Sequence, residues 1–368
     1  MTRMDGEDTA SEARPTRRDI LGRALRLGGG LLAVGAIGLR PGAGSTAGPA
    51  QAQDPNTAIG MRFMRIGTGS TAGTYFPIGG LIASAISRPP GARPCERGGS
   101  CGVPGLIAVA QSTGGSVDNV GLLRSGAVDM ALCQADVAYW ARTGSAAFED
   151  TGPMPGLLAL ARLYEEKIHL VVRADGDIER VEDLRQRRIA MGELGSGTLV
   201  DARLLLAAHG LTEVDILPVY DKPGPAADLL AAGEIDAFFF IGSAPVPVVA
   251  ALARSVPVRL IGLSGPVVRT MADTQPYLTQ GVVPGGLYTG VPRAVPTLSV
   301  GAVLVATDAM DTDMAYGVVR GLWHPNVRAQ FQDDVVAGTM TPAKAPHGTG
   351  IPLHPGAQRY YEDEGYLP

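Results

Sequence analysis

The segment Ser125-Gly126-Ala127-Val128-Asp129-Met130-Ala131 returns 107 positions later as Ala232-Gly233-Glu234-Ile235-Asp236-Ala237-Phe238. Both read small–Gly–x–aliphatic–Asp–apolar. In each, the glycine closes a run with helical spacing (117–125 and 226–232). A glycine there supplies the left-handed residue that ends a helix. In each, the aspartate stands at the mouth of a short apolar run that reads as a buried strand (129–133 and 237–241). Two such units predict two lobes built on one plan, the alternative being coincidence within ordinary βα architecture. Asp129 and Asp236 are expected to cap or bridge turns and to take no part in chemistry.

Working outward, strand and helix signals alternate, which predicts an α/β fold with mainly parallel strands. Extended segments are expected at 63–67, 106–112, 129–133, 157–163 and 168–173, with helices at 76–86 and 117–125. A second series follows: a turn of helix at 181–184, strands at 188–191, 216–219, 237–241 and 258–261, and helices at 199–209, 226–232 and 246–254. A long apolar strand at 300–306 and a helix at 314–322 precede a tail rich in proline and glycine. The chain is expected to cross between lobes near 172–175 and 294–299. That gives a discontinuous first lobe (62–172 plus 297–368) and a second lobe at 173–296.

Composition narrows the function classes. Hydrophobic residues make up 45% of the 368, charged residues 18%, and the net charge is −5. Such a chain can bury a core, and without a basic block it is not expected to bind nucleic acid. Glycine, at 50 residues, is well above a usual share of about 7%. With no G-X-Y period, these glycines are expected in turns and close backbone approaches.

The N-terminal stretch reads as an address. Arg17-Arg18 followed by Asp19-Ile20-Leu21 is the twin-arginine export pattern. The weakly apolar run 27–39 is shorter than the ~20 residues that span a bilayer, and Ala50-Gln51-Ala52 is a small-residue cleavage site. Residues 1–52 are therefore expected to be a signal peptide. No cysteine there offers a lipid anchor, and the mature chain is expected to be exported, soluble and periplasmic. In that oxidising compartment Cys95 and Cys101 are expected to bridge a glycine-rich loop. Cys133 is expected to be a buried free thiol.

Two loops have the physical character of anion sites. Residues 67–75 and 192–198 each place glycines and hydroxyls between a strand and a helix, where free N–H groups and the helix dipole favour negative charge. Ser and Thr also cap helices, so each loop alone has a purely structural reading. Rival motifs fail on context. Gly67, Gly69 and Gly73 approach a dinucleotide fingerprint, but the spacing is one residue too long and Ser87-Arg88-Pro89 stands where an acid is needed. Gly98-Gly99-Ser100-Cys101-Gly102 matches a hydrolase pattern by letter, yet lies inside the cysteine loop. There is no Walker loop. The histidines, at 169, 209, 324, 347 and 354, lack ligand spacing, so neither a metal nor a cofactor is expected. His169 is expected to be a half-buried strand residue.

Several segments in order carry a family likeness: IGTGSTAGTYFPIGG (66–80), TGGSVDN (113–119), GAVDMALCQADVAY (126–139), GSGT (195–198), GEIDAFF (233–239) and IPLHPGA (351–357). Together they resemble the TAXI type of TRAP-transporter solute receptor. The resemblance implies a two-lobe periplasmic-binding-protein fold (type II-like) with a hinge and a central ligand cleft. It also implies no catalysis, capture of a small carboxylate such as glutamate, glutamine or an oxo or dicarboxylic acid, and delivery to membrane permease subunits. The motifs hold no arginine, so N–H and hydroxyl donors are expected to replace it. Gly69, Ser70, Thr71 and Tyr75 are expected to grip from one lobe, and Ser196, Gly197 and Thr198 from the other. Gln134 and Asp136 are expected to face the same cleft, with Ser116, Asn119 and Ser243 as further walls. Alternatives stay open at three positions: Asp136 as a helix cap, Ser116 as a cap of its own helix, and Tyr75 as packing. The cysteine loop, an insertion before the second strand, departs from the family pattern, and its effect on the mouth of the cleft stays open. Nothing demands more than a monomer. The rival functions are an exported enzyme folded around a cofactor and a sensory receptor for a membrane kinase.

Overall fold

The computed structural model describes residues 60–368. The expected signal peptide, 1–52, lies outside them. The elements in chain order are β1 (Arg62–Gly67), α1 (Tyr75–Ile86), β2 (Leu106–Gln111), α2 (Ser116–Ser125), β3 (Met130–Gln134), α3 (Ala135–Thr143) and β4 (Leu157–Arg173). They continue with β5 (Arg188–Ala190), α4 (Gly197–Ala208), β6 (Leu217–Val219), α5 (Pro223–Ala232), β7 (Ala237–Gly242), α6 (Pro247–Ser255) and β8 (Val258–Leu260). The chain ends through α7 (Pro266–Thr274), β9 (Leu278–Val283), β10 (Val295–Thr307), α8 (Thr312–Leu322), α9 (Pro325–Phe331) and α10 (Pro355–Asp363).

The main sheet runs β2-β1-β3-β10-β4-β7-β5-β6, with β8 on β4 and β9 on β10. β2-β1-β3 and β6-β5-β7 are parallel triplets of the same order, one per lobe. The internal repeat accounts for both. Gly126 and Gly233 have φ of 72° and 74° and end α2 and α5 in the left-handed conformation. Asp129 then accepts the Arg65 amide of β1 at 2.7 Å, and Asp236 accepts the Arg188 amide of β5 at 2.7 Å. Each aspartate thus ties the start of a third strand to its neighbour, away from the cleft.

The antiparallel strands β4 and β10 pass between the triplets. β4 pairs with β10 as far as Lys167 and with β7 from Lys167 onward. β10 pairs with β9 up to Val300 and with β3 from Ala302. The lobe limits expected from the sequence fall a few residues beyond this exchange of partners, and we propose the hinge at Lys167 and Gly301. Where the sequence suggests two segments, 157–163 and 168–173, one 17-residue strand runs through. The polar residues between them alternate faces: Glu165 and Lys167 pair at 2.9 Å on the open side, and Glu166 turns inward.

Helices cover both faces, which is why the central strands read as unbroken apolar runs. In β7, Ala237, Phe239 and Ile241 face α4, while Phe238 and Phe240 face α5 and α6. In β3, Met130 and Leu132 pack with α1 and α8, and Ala131 and Cys133 turn to the opposite face. Cys133 is a buried free thiol. The proline-rich tail holds two helices, because Pro325 and Pro355 sit in their first turns, where no N–H is needed. His324 and His354 cap them, accepting the Asn326 and Gly356 amides. No helix among the described residues is long and apolar enough to cross a membrane.

Candidate functional site

The loops after β1, β2 and β5 leave the carboxyl ends of parallel strands and open α1, α2 and α4. Ligands in open α/β sheets bind at such strand ends. The three loops enclose a cleft of about 580 Å³, its open mouth included. Of the residues expected there, Gly69, Ser70, Tyr75, Ser116, Gln134, Ser196, Gly197 and Thr198 line it.

Two of the three helix starts on this cleft keep free donors. Among the described residues, the amides of Thr74, Tyr75 and Phe76 at the head of α1 have no protein acceptor. The amides of Gly197 and Thr198 at the head of α4 have none either. The head of α2 differs: Val117 and Asp118 donate to the Gly195 carbonyl, each at 3.0 Å. That carbonyl lies on the opposite lobe, so α2 is spent holding the lobes together.

The hydroxyls are divided in the same way. Ser196 accepts the Leu199 amide at 3.1 Å and caps α4, so its structural reading holds although it lines the cleft. Thr198 accepts the Ile241 amide at 3.3 Å, which leaves its proton to give. Ser116 accepts the Gln134 amide at 3.1 Å and donates to the Gln134 side-chain oxygen at 3.4 Å. Tyr75 both lines the cleft and donates to Glu166 at 2.8 Å.

Close approach across the cleft explains two glycines. Gly115 has φ of 108°, and a Cβ there would lie 3.3 Å from Ser196 Cα. A Cβ on Gly197 would overlap the Gln134 side-chain oxygen and lie 3.0 Å from Ser116 Oγ.

Four expected residues stand off the cleft wall. Thr71 is exposed. Asn119 is fully buried and stitches strands, donating to the Thr68 and Leu132 carbonyls at 2.7 Å each. Ser243 is buried and does not line the cavity. Asp136 is fully buried at the head of α3, where it accepts the Val137 amide at 2.7 Å, and it faces Asp201 of α4. The cysteine loop is bridged as expected, but none of its residues lines the cleft. It rests against His324 and Asn326 beside α9. His324 and the two sulfurs form a group of potential metal ligands, with the sulfurs already joined to each other.

Sequence reasoning misses the acids. Glu166, Glu193 and Asp221 line the cleft, and among the described residues no lysine or arginine does. Burial pushes Glu166 up to about 8, opposed by the Tyr75 hydrogen bond. Burial also raises Glu193, which Lys222 partly offsets from 3.9 Å. The only signal for Glu166 was the alternation of faces in a strand the charges had hidden. Phe239 and Phe240 supply an apolar wall. His169, expected half-buried, is fully buried beneath it. It meets the Tyr288 hydroxyl at 3.0 Å, and burial lowers it to about 4, so it is neutral near pH 7.

Residues 66–365, which carry every loop of the cleft, match the NMT1-like family. The chain belongs to that family. This NMT1-like chain is also similar to several solved structures. One is the periplasmic aliphatic sulphonate binding protein SsuA of Escherichia coli (15% identity, 83% of this chain and 79% of that chain, TM-score 0.41). Another is the alkanesulfonate-binding protein SsuA of Xanthomonas axonopodis bound to MOPS (17%, 84% and 86%, 0.42). A third is an ancestral arginine-binding protein bound to arginine (13%, 82% and 98%, 0.43).

Proposed function

We propose that this protein is the solute receptor of a TRAP transporter of the TAXI type, exported by the twin-arginine route. On this reading it closes on a small carboxylate that also carries an amine and delivers it to membrane permease subunits. The observation that carries the reading is the division of charge in the cleft. Free N–H groups at the heads of α1 and α4 reach it from opposite lobes, with the hydroxyls of Ser70 and Thr198 beside them. Helix heads of this kind favour a carboxylate without any arginine.

Glu166 supplies the other pole. The residue is 2% exposed, and Tyr75 donates to its carboxyl. A buried carboxyl without a cation is costly to ionise, and a ligand ammonium would supply that cation. A second ligand carboxylate would meet Glu166, Glu193 and Asp221 with no lysine or arginine on the wall among the described residues. Amino acids with uncharged side chains therefore fit better than dicarboxylates. A ligand touching both lobes favours their contact through its differential affinity, and no chemistry by the protein is needed.

The test is calorimetric titration of the purified chain with L-glutamine, 2-oxoglutarate and succinate, with mass spectrometry of any ligand kept through native purification. Saturable binding of an unaltered amino acid, tighter than either dicarboxylate, is expected. Retention of a tightly bound cofactor, turnover of the ligand, or a preference for succinate would overturn the reading.

A further inference from the structure

Behind the cleft wall, two carboxyl groups from opposite lobes meet with no cation between them. Asp136 belongs to the first turn of α3 and is 0% exposed, and Asp201 lies on α4 and is 1% exposed. Asp136 Oδ1 accepts the Val137 amide at 2.7 Å, and Asp201 Oδ2 accepts from Gln134 Nε2 at 2.5 Å. The remaining oxygens, Asp136 Oδ2 and Asp201 Oδ1, are buried and have no partner. Two ionised carboxylates so placed would repel across the boundary that Gln134 and the Gly195 carbonyl hold shut.

We propose that one proton is shared between Asp136 and Asp201, so that contact between the two lobes requires a carboxylic acid–carboxylate hydrogen bond.

That bond satisfies both orphan oxygens at once: Asp201 Oδ1 carries the proton and donates to Asp136 Oδ2. The assignment of acid and base follows from the surroundings. Asp136 stands at a helix head, where the dipole and the Val137 amide favour negative charge. Asp201 stands a full turn inside α4 without that help. Burial raises both groups, and Asp201 is raised well above its ordinary value with the charge of Asp136 as a further cause. The other titratable groups facing the pair are Glu166 of β4, which when ionised pushes Asp201 the same way, Cys133 of β3, raised by burial and then by Asp136, and Tyr277 ahead of β9, raised by burial and then by both acids. Among the described residues, no lysine or arginine is one of the groups that act on it. When the lobes part, both carboxyls regain water and the proton leaves. The protonated pair therefore favours contact below the raised value of Asp201, and the contact weakens as pH rises through it.

The test needs no ligand, so it stands apart from the proposed function. The whole ligand-free chain is unfolded in urea from pH 5 to 8.5, as wild type, D201N and D136N. The side-chain amide introduced by D201N can donate to Asp136 while its oxygen still accepts from Gln134, so this variant mimics the protonated pair at every pH. The unfolding constant of the wild type should rise relative to D201N by up to tenfold per pH unit as the shared proton is lost. D136N, whose new amide can donate to an ionised Asp201, should also lose this dependence. In infrared spectra at pH 7, the wild type should show a protonated-carboxyl band that weakens in D201N. Parallel unfolding profiles, or an unchanged carboxyl band, would overturn the proposal.

Discussion

Replacing Gly197 by alanine sets helix propensity against lobe contact, because the two respond with opposite sign. Gly197 is the first residue of α4, and alanine is the better helix former there, by about 0.5–1 kcal/mol. Taken alone, the second lobe should gain from the change. The added methyl, however, overlaps the Gln134 side-chain oxygen and comes within 3.0 Å of Ser116 Oγ, both on the other lobe. Gln134 cannot yield freely, since its side chain joins Ser116 at 3.4 Å and Asp201 at 2.5 Å. Turning it away breaks one hydrogen bond to a neutral group and one to a carboxyl. Together these are worth roughly 2–4 kcal/mol, or a roughly 30- to 1,000-fold weaker Kd for any ligand that binds the joined lobes. Calorimetric titration with the tightest-binding amino acid gives the affinity, and thermal unfolding of the ligand-free chain gives the stability. The lost contact outweighs the helix gain, so we expect a lower Tm of the ligand-free chain, whose lobes are also in contact, together with the loss of affinity. An affinity within twofold of wild type would refute the closeness of Gly197 and Gln134, and an unchanged Tm would refute lobe contact in the ligand-free chain.

Glu166→Gln should flatten the pH profile of stability. The folded value of about 8 lies above the ordinary 4.5, so the stabilising contribution is present below pH 4.5 and is lost as pH rises through 8. At about 1.4 kcal/mol per pH unit, the loss approaches 5 kcal/mol across that window. His169, lowered to about 4, works the other way below its ordinary 6.5, and it cancels when urea unfolding of wild type and variant is compared pH by pH. Parallel curves would mean that Glu166 is hydrated. Asn119→Ala should cost about 2–4 kcal/mol in urea unfolding by orphaning the Thr68 and Leu132 carbonyls, whereas Thr71→Ala should leave both stability and affinity unchanged. Replacing Cys95 and Cys101 together by serine should lower Tm with little change in ligand affinity, since the loop does not line the cleft. A tenfold change in Kd would place the loop at the cleft after all.

The sequence by itself determined the features that act over a few residues. Gly126 and Gly233 marked helix ends because only glycine adopts that conformation without strain. The apolar runs 130–133 and 237–241 marked strands covered on both faces, and the two glycine-rich loops marked helix heads. Signals failed where a local rule was overruled from a distance. The charges at 165–167 broke the reading of β4, because a strand that bridges two lobes shows one face to solvent and the other to a cavity. The proline-rich tail carried no helix signal, yet Pro325 and Pro355 begin helices there.

Only the tertiary structure decided which of these groups meet. Asp136 reads identically whether it caps a helix, contacts a ligand or faces Asp201, because its neighbours in sequence are the same in all three cases. Asn119 likewise reads as a cleft residue until strands 51 and 13 positions away are brought to its amide. The acidic side of the cleft belongs to this class. Glu166, Glu193 and Asp221 come from three separate segments, and their shared effect on charge exists only once the sheet has brought those segments together.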